Sequence, residues 1–130
     1  MIAVDTNVIV RLMVGDDPAQ FRRATEFISS QSTVLLTSVV MEAEWVLRKI
    51  YGQAPEDIIG ALRAFITLEK VHVKDFDVVQ QALDAYENGI DFADALHLAQ
   101  SAHTKGFASF DKGLKRTAKR LGGFVAVVAP

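Results

Sequence analysis

Short apolar runs alternate along the chain with stretches in which apolar residues recur every three or four positions, a pattern that predicts strands and helices in turn. Residues 1–4 are apolar and stop at Asp5, as a buried strand does, and Asp5, Thr6 and Asn7 favour a cap or turn before the apolar stretch from Val8 to Val14. Asp17-Pro18 reads as a helix start, followed by the stripe Phe21, Ala24, Phe27 and Ile28. Residues 33–37 predict a second strand, after which Ser38 is expected to cap a helix running to about Tyr51, with Gly52 just past its end. Pro55 opens a helix that carries Ile58, Ile59, Leu62, Phe65 and Ile66 on one side. Residues 71–73 form a short strand, and Asp75 starts a helix with Val78, Val79, Ala82, Leu83 and Tyr86 in register. Asp91 caps a helix expected to end at Gly106, and 107–110 is another strand. A basic helix from Asp111 to about Leu121 and a last strand over 124–128 complete the chain.

Strands alternating with helices imply an α/β fold with a short, parallel central sheet of about four or five strands, flanked by helices on both faces. A length of 130 residues fits one core, and no repeat or linker breaks the pattern, so one domain over 1–130 is expected. Half the residues are hydrophobic and 23% are charged, which excludes a disordered chain. The net charge of −2 supplies no global field for nucleic acid, so phosphates would have to be held by local basic patches or by metal. The absence of cysteine removes disulfides, thiolate zinc sites and cysteine nucleophiles, and fits a reducing cytoplasm. Asp5 interrupts the N-terminal apolar run and no basic segment precedes it, unlike a signal peptide. No apolar stretch approaches the roughly 20 residues that span a bilayer, so a soluble protein is expected.

The acids then change the picture. In open parallel sheets ligands bind beyond the carboxyl ends of the strands. Asp5 follows the first expected strand and Asp111 the strand over 107–110, while Glu42 and Asp94 lie in the first turns of their helices. On the helix after Ser38 the expected core stripe is Val39, Ala43, Val46, Leu47 and Ile50, with Glu42 at one border and Glu44 at the other, so periodicity does not choose between them. On the helix after Asp91 the stripe is Phe92, Ala95, Leu98, Ala99 and Ala102, and Asp94 lies off its centre beside His97 and Ser101. Carboxylates brought together repel unless a cation compensates, and an all-oxygen set suits Mg²⁺ or Mn²⁺ better than Zn²⁺. No phosphate-binding glycine loop, nucleophile elbow or H-E-x-x-H pair competes. Each acid also has an ordinary structural role open to it: Asp5 an Asx-turn, Asp111 a cap, Asp94 a capping box with Asp91, Glu42 a solvated surface. Likewise Lys112, Lys115, Arg116, Lys119 and Arg120 form either a solvated face or a phosphate track. His72, His97 and His103 suit surface or packing positions, and Met41 and Trp45 suit either a partner surface or packing on the next helix.

The segments Val-Asp-Thr-Asn-Val at 4–8, Ser-Val-Val-Met-Glu-Ala-Glu-Trp-Val-Leu-Arg at 38–48, Asp-Phe-Ala-Asp-Ala-Leu at 91–96 and Ser-Phe-Asp-Lys at 109–112 resemble PIN domains in content, order and separation. The subgroup they are most similar to is the VapC-type toxins of toxin–antitoxin pairs. The resemblance implies a metal-dependent endoribonuclease in which Asp5, Glu42 and Asp94 bind Mg²⁺ or Mn²⁺ and Asp111 is the fourth acid. It favours Glu42 over Glu44, gives Thr6 or Asn7 and Ser109 supporting hydrogen bonds, and implies a homodimer and a VapB-type antitoxin that inserts a segment beside the site. Ser109 stands where threonine is commoner and keeps the hydroxyl. Two rival readings are a non-catalytic PIN-like binding module and an α/β phosphohydrolase with Asp5 as nucleophile. The second usually has an acid two residues on, where this chain has Asn7.

Overall fold

The expected alternation of strand and helix runs through all 130 residues of the computed structural model, in two units, Met1–Phe76 and Asp77–Pro130. In the first unit the order is β1 (Ile2–Ala3), α1 (Thr6–Val14), α2 (Pro18–Ser30), β2 (Thr33–Leu35), α3 (Thr37–Lys49), α4 (Pro55–Ile66) and β3 (Val71–Val73). The three strands pair in parallel in the order β1-β2-β3, with Ile2 opposite Thr33 and Thr33 opposite Val71. Each crossover carries two helices, as parallel pairing demands of a connection that must return to the same end. Strand β2 is central, and its Thr33 and Leu35 are fully buried while Val34 is half-buried. Helix α1 packs on α2 and α3, and α3 on α4. Ile9, Leu47, Ile58 and Leu62 are sealed from solvent between them, each contributing about 1.5–3 kcal/mol of burial.

The second unit holds α5 (Phe76–Glu87), α6 (Phe92–Gln100), β4 (Phe107–Ala108), α7 (Lys112–Leu121) and β5 (Val127–Val128). Here β4 and β5 form a two-stranded parallel ladder, with Phe107 opposite Val127. The fold is α/β with five short parallel strands, divided three and two between the ladders. The second core gathers Val79, Leu83, Phe92, Leu96 and Leu98, with the rings of Tyr86 and Phe92 tilted at 44° and 5.2 Å apart.

Several boundaries differ from those the sequence suggests. Helix α3 starts at Thr37, one residue before Ser38, and its N-cap is the extended Leu36, which makes no side-chain capping bond. Pairing of β2 with β3 ends at Leu35, and the Thr37 hydroxyl donates to the Lys74 carbonyl at 3.4 Å, so the chain turns before Ser38. The buried stripe of α3 is Val40, Ala43, Glu44 and Leu47, rotated from the expected one, and Ile50 is exposed. Helix α6 ends at Gln100 rather than Gly106, and Ala102 is exposed. The hydroxyls of Ser101 and Thr104 donate to the carbonyls of His97 and Ser101, offering the backbone a local alternative to further helix. Helix α5 starts at Phe76, after Asp75 at φ 57°, and in α2 the stripe rests on Ala24 and Ile28, since Phe21 is exposed. The last two strands are shorter than expected, Phe107–Ala108 and Val127–Val128.

One buried group in the central strand lacks a partner: the Thr33 hydroxyl. An unmatched buried hydroxyl costs about 1–3 kcal/mol, and valine has nearly the same shape. Thr33→Val is therefore expected to raise stability by about 1 kcal/mol, seen as a higher urea midpoint. An unchanged or lower midpoint would contradict this.

Candidate functional site

Asp5 lies where β1 gives way to α1, and the extended backbone there (φ −80°, ψ 160°) lets its side chain cap the helix. Its Oδ1 accepts from the Thr6 amide at 2.7 Å, which fixes the carboxylate and leaves Oδ2 open. Thr6 is buried, and its hydroxyl donates to Oε1 of Glu42 on α3. Two carboxylates 37 positions apart in sequence are thus tied together through one threonine. Asp5, Thr6, Asn7 and Glu42 share a hollow of about 300 Å³, and Asp5 and Asn7 also line a neighbouring hollow of about 520 Å³.

Glu44, two residues on, is in a different situation. It is 3% exposed and held by Arg48 through Nε at 2.7 Å and Nη2 at 3.3 Å. Both oxygens are engaged in a forked, charge-assisted pair, which is a structural arrangement rather than an open ligand. Glu42 is exposed at the hollow with Oε2 clear of any protein donor. The rotation of α3 buries Glu44 and leaves Glu42 at the hollow.

Arg11 is a neighbour the sequence reading did not single out. It lines both hollows, with its Nη1 on Asp16 Oδ1 at 3.1 Å and on the Tyr51 hydroxyl at 3.0 Å, and its Nε on Gln20 Oε1 at 2.6 Å. Its spacing of four from Asn7 on α1 placed both on one helix face and was the available clue.

In the second unit Asp91 caps α6, its Oδ2 accepting from the Asp94 amide at 3.3 Å. The reciprocal half of a capping box is absent, so the Asp94 carboxylate stays out of the helix end. Burial first, then the charge of Asp91, pushes the Asp94 carboxyl up; Asp111 adds to this and His97 opposes it. The imidazole of His97 stacks on Phe107 at 6.3 Å, a packing role. Asp111 caps α7, with Oδ1 accepting from the Leu114 amide at 3.0 Å, and its own amide donates to the Ser109 hydroxyl at 3.0 Å. Lys112, Lys115 and Arg116 are exposed on the first turns of that helix.

Thus Asp5 and Glu42 are linked through Thr6 in the first unit, and Asp91 and Asp111 act electrostatically on Asp94 in the second. No three Asp, Glu or His side chains lie closely enough together to hold a metal ion by themselves. The donors themselves fit a hard divalent cation: all are carboxylate oxygens, Asp5 and Glu42 each keep one free, and the crowding around Asp94 is what a cation relieves.

The PIN domain family model matches residues 2–120. No curated protein matches the chain. Among solved structures the chain is similar to that of Mycobacterium tuberculosis VapC20, a sarcin–ricin loop cleaving toxin, at 23% identity over 100% of both chains and a TM-score of 0.45.

The contrast between the two glutamates generates a paired expectation. Glu44→Gln weakens a buried charge-assisted pair and should cost about 1 kcal/mol or more of stability while leaving Mn²⁺ binding in place. Glu42→Gln should leave the melting temperature unchanged and weaken Mn²⁺ binding, measured by calorimetric titration. The opposite assignment of effects would move the ligand role to Glu44.

Proposed function

The chain belongs to the PIN domain family, and on that premise we propose that it is a metal-dependent endoribonuclease of the VapC toxin type. The observation that carries the reading is the extent of the family match, whose span of 2–120 contains all four acids and runs through both units. We take residues 1–130 as one nuclease domain in which Asp5, Glu42 and Asp94 hold Mg²⁺ or Mn²⁺ and Asp111 completes the set or orients water. When bound, the ion supplies the positive charge that activates water and offsets charge on the departing oxygen of the phosphodiester.

The residues of the chain do the positioning. The Thr6 amide fixes the plane of the Asp5 carboxylate, and the Thr6 hydroxyl holds Glu42 beside it. Ser109 fixes the turn from which Asp111 projects, and Asn7 borders the same hollow as Asp5. Lys112, Lys115 and Arg116 draw in the RNA backbone through their charge.

The VapC-like segments support two further partners beyond RNA, a VapB-type antitoxin and a second copy of the chain, and support action in the cytoplasm. No helix is long and apolar enough to cross a membrane. Trp45, half-exposed on α3, belongs in this reading to a partner contact. Trp45→Ala should shift the monomer–dimer equilibrium or antitoxin affinity by about tenfold or more; no change in either removes it from that contact.

The decisive experiment is cleavage of an RNA panel with Mg²⁺ or Mn²⁺. Groups that only support a metal site cost about 10–100-fold when removed, so losing a direct ligand should cost on the order of 100-fold or more. Asp5→Asn and Asp94→Asn are expected to lose cleavage with unchanged circular dichroism, and chelator to abolish it in the wild type. Full activity in either variant, or in excess chelator, refutes the proposal.

A further inference from the structure

Phe110 is the most exposed large hydrophobic side chain in the molecule, at 83%. Leaving a phenylalanine in water forgoes the burial that the other aromatic residues of its unit gain, such as Phe92, which is fully buried. Its backbone is held firmly. The hydroxyl of Ser109 on one side accepts from the amide of Asp111 on the other, and Asp111 is locked as the cap of α7. The ring is thus presented to solvent from a fixed turn.

The chemistry around it identifies what it meets. Ser109 and Asp111 flank it in sequence, and exposed Lys112, Lys115 and Arg116 follow on one face of α7, at spacings of three and four. A protein interface places its apolar anchor among other apolar groups and depletes lysine. An exposed ring followed in sequence by a cationic stripe is instead the combination that binds single-stranded nucleic acid, one group stacking on a base while the others follow the phosphates.

Building on the nuclease reading above, we propose that Phe110 is a stacking platform for one unpaired nucleobase next to the cleaved bond. Adjacent Cα atoms lie about 3.8 Å apart, so a base on Phe110 and a phosphate near Asp111 are neighbours within about one nucleotide. Bases inside a duplex cover both their faces and offer the ring nothing, which makes Phe110 a determinant of unpaired over paired RNA. Lys112, Lys115 and Arg116 contribute charge and no base preference.

The test measures affinity and cleavage on the full chain with two RNAs of the same sequence, one an unstructured oligoribonucleotide and one its blunt duplex. Phe110→Ala is expected to weaken binding of the unstructured RNA roughly 10–100-fold, with duplex binding and melting temperature unchanged, and Phe110→Trp to restore wild-type affinity. Lys115→Ala with Arg116→Ala should weaken both RNAs alike and flatten the salt dependence. A wild type that cuts RNA, with Phe110→Ala binding and cutting it equally well, overturns the platform and leaves the nuclease reading standing. Phe110-dependent binding without metal-dependent cleavage supports the platform and overturns the nuclease reading. A wild type that binds neither RNA overturns the platform. So does a Phe110→Ala variant that loses self-association in sedimentation while keeping its RNA affinity, since the ring would then be covered by a second copy of the chain.

Discussion

Burial of Asp94 beside other carboxylates is the constraint on which the proposed site depends. An acid in water keeps its charge at little cost, but Asp94 is partly withdrawn from water and faces Asp91 and Asp111, and its carboxyl is pushed up as a result. Such an arrangement gives away stability unless something positive offsets it. His97 opposes the shift without cancelling it, whereas Arg48 pairs directly with Glu44. The contrast separates an acid paired within the fold from one left among other carboxylates.

Several of these acids also have a structural task. Asp5, Asp91 and Asp111 each cap a helix, so the ordinary structural reading of them is true as far as it goes. A cap consumes one carboxylate oxygen and orients the other. Capping and ligation are therefore compatible, and the cap supplies the preorganisation that a ligand site needs. Glu42 reaches the same end differently, through the buried Thr6 hydroxyl.

The alternation of apolar runs was enough to read an α/β fold with parallel strands, because buried strands and helices carry different periods. The caps at Asp17, Asp91 and Asp111 were legible for the same local reason. Helix ends were less so: α6 stops at Gln100 because hydroxyls of Ser101 and Thr104 turn onto nearby carbonyls, a choice periodicity does not encode. The face of α3 was also misjudged. Glu44 counts as polar in any pattern, yet Arg48 neutralises it and lets it take a core position, which rotates the stripe and exposes Ile50. The bond between Thr6 and Glu42 was beyond local reading altogether, since it depends on how α1 packs on α3.

The central proposal is that Asp5, Glu42 and Asp94 are ligands of a divalent ion. Titration of Mn²⁺ followed by electron paramagnetic resonance, on the wild type, Asp5→Asn, Asp94→Asn and the double variant, addresses it most directly. The account predicts that either single change removes the same bound ion and that the double variant is no worse than the singles. Retention of the ion in both singles, or losses that add as from two independent sites, would contradict it.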